Sequence, residues 1–199
     1  QILSLDADCI IFQETMLNKG NLHKLLPKFI TAANNWSYDI KIFNAGKGCG
    51  VAFLWTTKSG RLHPISFRPI KSTTDPETDL PVTVTDTETC SVNTVEEENA
   101  IIEDGRLILV EYENFYLFGA YAPNRSEKAW ETGRVKAWDD FFIKTLRCVK
   151  TWNSNKDILI AIDLNISLNH ASDMAGKPGT FERDKAYWQQ LTSEGVTDL

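Results

Sequence analysis

Long apolar runs are missing from this 199-residue chain. None approaches the ~20 residues that a helix needs to cross a bilayer, and no secretory pattern is read at its start, so no membrane partner is expected. Cysteine is sparse and scattered: Cys9, Cys49, Cys90 and Cys148 form no close pair. That suits a reducing, intracellular setting better than a disulfide framework or a zinc site. Positive charge is not in excess either. The net charge is −6, which by itself speaks against binding to nucleic acid. No internal repeat is visible. What remains is an ordinary globular composition and a length that suits one domain with a sizeable core.

The charge is unevenly spread. Residues 72–99 carry eight acids (Asp75, Glu77, Asp79, Asp86, Glu88, Glu96, Glu97 and Glu98) and no Lys or Arg, so the remainder has a net charge of +2. From Lys71 to Asn99 the composition turns to Thr, Asp, Glu, Pro and Val without a sustained period. We read an acidic surface insertion at about 71–103, spliced into a mildly basic single domain spanning 1–199. The chain opens at Gln1 and stops soon after a helical pattern, and the domain is expected to be incomplete at both ends.

Apolar patterning supplies the elements. Residues 1–5 read as the tail of a helix. Strands are expected at Asp8–Phe12, Ser37–Phe43, Val51–Trp55 and 59–68, the last after a Ser59-Gly60 turn. A helix over 21–30 is capped by Asn21 and interrupted by Pro27. Gly46–Gly50 is a loop. Asp104-Gly105 is a hairpin signal, with Arg106–Glu113 and Asn114–Tyr121 as the arms. Val135, Trp138, Phe142, Leu146 and Val149 share one helical face. Ile158–Ile162 is a buried strand, residues 166–179 a loop, and Thr180 the cap of a last helix. Strands interspersed with helices, plus a hairpin, indicate an α/β fold with mixed sheets.

Three of these strands are apolar to their last residue and then turn polar. Glu14 follows the first, Tyr121 and Asn124 the hairpin arm, and Asp163 and Asn165 the run Ile158–Ile162. Residues two apart on a strand face the same way, so Asp163 and Asn165 aim together at its carboxyl end, where open α/β sheets place ligands. Each residue also has a plainer reading: Asp-x-Asn and Pro-Asn as turn chemistry, Glu14 as a loop acid, Tyr121 as a cap on the core. Their joint occurrence at strand ends points to a site on one sheet rim.

Five blocks carry a resemblance. Ala7–Thr15 (ADCIIFQET), Gly50–Leu54 (GVAFL), Asp104–Arg106 (DGR), Tyr121–Asn124 (YAPN) and Ile160–Asn165 (IAIDLN) follow the order of the motifs of the exonuclease–endonuclease–phosphatase superfamily. Its abasic-site endonucleases of the exonuclease III type are the most similar subgroup. The resemblance implies a four-layer α/β sandwich, two mixed sheets packed face to face with helices outside. It implies a Mg2+-dependent phosphodiesterase, Mn2+ being an alternative ion, that cuts double-stranded DNA at abasic sites in base excision repair. It places such a protein in the nucleus or mitochondrion of a eukaryote. It makes Glu14 a metal ligand together with Asp163. Asp163 also activates water, Asn165 positions phosphate and nucleophile, and Tyr121 and Asn124 lie beside the scissile phosphate. Arg125 and Lys128, in the loop after Asn124, are candidates for backbone phosphates; a solvated helix entry is the other reading.

Some family features have no match within these residues. The first-strand asparagine and the closing aspartate–histidine block are absent, and none of His23, His63 or His170 fits the latter. Ile162 stands where the family has glycine, and its branched side chain is expected to crowd phosphate. Two other readings therefore stand beside the repair nuclease. One is a retrotransposon-type nicking endonuclease. The other is a degenerate domain, catalytically impaired, that binds protein or RNA as a structural subunit of a larger assembly.

Overall fold

The computed structural model describes residues 6–16, 21–43, 50–68, 105–167 and 178–198. The expected helix tail at 1–5, the Gly46–Gly50 loop apart from Gly50, the acidic insertion, Cys49, Cys90, Asp104, His170 and most of the 166–179 loop lie outside these residues.

Two sheets form the centre. The first has the order β1 (Cys9–Phe12), β3 (Val51–Thr56), β2 (Tyr38–Phe43), with both pairings antiparallel. The second has the order β4 (Ser66–Arg68), β5 (Leu107–Glu111), β6 (Phe115–Tyr121), β7 (Asp157–Asp163), antiparallel except for the parallel β6–β7 pair. Side chains alternate across each strand, and the alternation sorts them into layers. Val51, Phe53, Ile108, Val110, Leu117 and Tyr121 fill the space between the sheets, with Ile11 and Trp55 packed against them. The opposite face of the first sheet, through Tyr38 and Leu54, receives Ala33 of α1 (Leu22–Asn35). The opposite face of the second, through Leu109, Phe118 and Ala120, receives Trp138, Phe142 and Leu146 of α3 (Arg134–Trp152). Tyr187 and Leu191 of α4 (Glu182–Ser193) join that cluster, and a short α2 (Glu127–Glu131) precedes α3. The fold is the expected four-layer α/β sandwich. No described helix is long and apolar enough to cross a membrane. Cys9 and Cys148 are free thiols.

Four local expectations are corrected. The strand over 59–68 shrinks to Ser66–Arg68; Pro64 has no N–H to give a ladder, and the chain stays irregular up to it. The β5–β6 hairpin exists, but Asp104-Gly105 does not turn it: the chain reverses between Tyr112 and Phe115, where Tyr112 N–H donates to the Phe115 carbonyl. Gly105 instead leads into β5. Asn21 makes no side-chain cap on α1; its amide donates to the Met16 carbonyl at 2.9 Å, and the helix continues past residue 30 to Asn35 with Pro27 inside. The last helix starts after Phe181, not Thr180. Asp184 reaches back from the first turn and its Oδ2 accepts from the Phe181 N–H at 3.0 Å. This is the return half of a capping box, so one orphan helix-end donor is met from inside the helix.

Candidate active site

Strand direction decides what meets at the rim. β6 and β7 run parallel, and Tyr121 and Asp163, their last residues, are paired in register. β1 ends beside the start of β3, where Phe12 pairs with Ala52 and Thr15 N–H donates to the Gly50 carbonyl at 3.0 Å. Val51 N–H donates to the Gly105 carbonyl at 3.1 Å, which ties the two sheets together at this same end. Glu14, Tyr121, Asp163 and Asn165 thus converge from three strands of both sheets.

The contacts are specific. The Tyr121 hydroxyl donates to Glu14 Oε1 across the inter-sheet gap. Asn165 Nδ2 donates to the Ala122 carbonyl at 2.8 Å, and the Asn165 N–H to Asp163 Oδ1 at 2.8 Å. Glu14 and Asn165 both sit at positive φ, 49° and 53°. Asparagine tolerates this left-handed region; glutamate does so at a cost, and such strain gathers at functional sites. Burial raises the Tyr121 phenol above its ordinary pKa. The hydrogen bond to Glu14 and its charge add to this, while the Asn165 amide and the Arg106 cation pull the other way. The phenol is therefore a neutral donor at neutral pH. Asp163, by contrast, is exposed.

Arg106 is a supporting residue that the sequence showed only as part of the DGR block. It is buried, its guanidinium lies 5.0 Å from the centre of the Tyr121 ring, and it donates to the Tyr121 carbonyl at 3.2 Å. It fixes the ring from which the hydroxyl projects.

Solved structures with the same arrangement of sheets and helices are known. A 3'-5' exonuclease (NExo) from Neisseria meningitidis superposes with a TM-score of 0.66 at 13% identity, over 98% of this chain and 64% of its own. A single-residue variant of the 3' phosphatase NExo from Neisseria, bound to product DNA hairpin, gives 0.64 at 14%, over 99% and 65%. An AP endonuclease from Archaeoglobus fulgidus gives 0.61 at 14%, over 98% and 63%. The chain shares its fold with these three structures. It spans just under two thirds of these structures. By sequence it is 26% identical, over 110 residues, to a DNA-(apurinic or apyrimidinic site) endonuclease of Plasmodium berghei (strain Anka), covering 47% of this chain and 20% of that one. No family model matches the chain.

Within this fold the other candidates fall into place differently. Asn124 is exposed, and its Oδ1 accepts from the Ser126 N–H at 2.9 Å. It is a turn residue opening α2, with its NH2 group directed the other way. Lys128 is exposed on α2. Arg125 is not at the surface. Its side chain is 0% exposed and is engaged by Asp139 and Asp184, so the expected contact with DNA phosphate is corrected: the donors are already committed inside the protein. Ile162 does not crowd the rim either. It belongs to the face of β7 that packs against α3 and α4, opposite to Asp163.

Proposed function

We propose that this domain is a divalent-metal-dependent phosphodiesterase acting on the backbone of double-stranded DNA, with abasic sites as the preferred substrate. The observation that carries the proposal is the meeting of Glu14, Tyr121, Asp163 and Asn165 at one rim. The donors there are hard oxygens. Two of them are the carboxylates of Glu14 and Asp163. That fits Mg2+, which takes one or two carboxylates and keeps its waters, and Mn2+ would be accepted in its place. Glu14, with Asp163 alongside, would hold it. When bound, the ion neutralises charge on the phosphodiester.

The chain's own residues do the rest. Asp163, exposed at the end of β7, takes the proton of the attacking water as that oxygen closes on phosphorus; the P–O bond to the leaving strand then breaks, and the departing oxygen takes a proton from solvent water. The Tyr121 phenol is a neutral donor poised to turn from Glu14 to a phosphate oxygen. Asn165, with its Nδ2 held by Ala122, presents its amide oxygen in one direction only. The preference for abasic sites is supported by the names of the Plasmodium and Archaeoglobus relatives.

The test is a duplex carrying one tetrahydrofuran abasic analogue, incubated with Mg2+ and then with chelator. Cleavage is expected with the metal alone, and D163N is expected to lose ~10²–10⁴-fold in rate while remaining folded. Equal cleavage by D163N, or none by a folded wild type, rejects the proposal; the latter supports a binding subunit.

A further inference from the structure

Beneath the rim lies a second polar group of residues. Arg125 Nη1 and Nη2 hold Asp139 of α3 bidentately, at 3.1 and 2.5 Å. Nη1 also donates to Asp184 Oδ1 of α4 at 3.2 Å, and Nε donates to the Leu164 carbonyl at 3.1 Å. The Tyr187 ring closes the remaining side, 4.8 Å from the guanidinium carbon.

The Leu164 carbonyl and the Asn165 N–H are the two ends of one rigid peptide plane. Arg125 holds the oxygen end and Asp163 Oδ1 accepts from the nitrogen end. A plane pinned at both ends fixes where the Asn165 Cα sits and the rotation of the Asp163 carboxylate; from that Cα the Nδ2 bond to the Ala122 carbonyl sets the direction of the Asn165 side chain. A buried cation with two carboxylates adds little stability over apolar packing of the same volume. Only a guanidinium can serve a carbonyl and two acids from one planar fork.

We infer that Arg125 is a positioning residue, whose buried guanidinium holds the Leu164–Asn165 peptide, and through it Asp163 and Asn165, in the orientation the reaction needs. Its kinetic consequence rests on the phosphodiesterase reading; its structural consequence does not.

The informative variant is R125M/D139L/D184N. It removes the charges together and leaves an amide oxygen at position 184 to meet the Phe181 N–H. Two readouts are taken on the folded protein: hydrogen exchange of the Asn165 amide, and kcat and KM on the abasic duplex. We expect Asn165 exchange to quicken at least about tenfold while the ladder amides of β6 hold, because only the pinned plane is released. We expect kcat to fall ~10–100-fold with KM nearly unchanged. If the triple variant does not fold, R125K carries the same readouts, since it keeps the charge but loses the Nε–H. Unchanged exchange at Asn165 overturns the inference. A raised KM with unchanged kcat and a weaker salt dependence overturns it too, because Arg125 would then be a phosphate contact. A wild type that does not cleave removes the activity reading alone, and the exchange result still decides the role of Arg125.

Discussion

Two polar clusters lie a few residues apart in this protein and differ in every physical respect. At the rim, Glu14 and Asn165 hold unusual backbone angles and Asp163 faces solvent. In the knot below, Arg125, Asp139 and Asp184 are buried and bonded to one another. The rim is open at the expense of local comfort, as a site for a charged ligand must be. The knot is closed and complete, as buried charge must be. One arginine spans the boundary, so the quiet cluster sets the geometry of the exposed one.

The sharpest way to break this contrast is to remove one acid from each. Asp184→Ala strips Arg125 of a partner and leaves Phe181 N–H uncapped, so a loss of ~3–5 kcal/mol is expected in urea denaturation. Asp163→Ala, on the exposed side, is expected to cost no more than about 1 kcal/mol. Equal losses would show that the rim is as structural as the knot.

A smaller effect follows from protonation. Burial pushes the Asp139 carboxyl up to about 7, against the pull of Arg125. Its folded pKa thus exceeds its unfolded one, and the folded state binds the extra proton between pH ~4 and ~7. Its contribution is complete below pH ~4 and lost as the pH rises through about 7. Wild type should therefore lose stability between pH ~5 and ~7.5 by more than Asp139→Asn does, measured by denaturant midpoints. An identical slope in both would place the proton elsewhere.

The smallest effect is at Lys128, exposed on α2. If it meets a backbone phosphate, Lys128→Ala lowers the slope of log affinity against log salt by about 1, uniformly across DNA sequences. An unchanged slope makes it a solvated helix residue.

The strands were legible because each is a short apolar run, and the rim because three such runs end in polar residues. Ile10–Phe12, Val51–Trp55 and Ile158–Ile162 all became strands. Arg125 was misread for a reason that lies outside its neighbourhood. Its partners stand 14 and 59 residues away, and only the docking of α3 and α4 brings them together. Asp139 gave a faint sign, sitting next to Trp138 in a helix that buries Phe142 and Leu146. The caps failed similarly. Asn21 and Thr180 are good capping types, but the Met16 carbonyl claimed one and Asp184 made the other unnecessary. Side-chain type proposes a cap; the available donors choose it.

One small absence governs how far apart the two halves of the rim stand. A Cβ placed on Gly119 would come within 2.8 Å of Ile108 Cγ2 and 3.2 Å of the Ile11 side chain on the facing sheet. Ile11 lies three residues before Glu14, and Gly119 two before Tyr121. The two sheets therefore pack closely just behind the place where their faces must touch. A single added methyl there would act as a shim, prising Glu14 from the Tyr121 hydroxyl while leaving every rim side chain in the sequence untouched.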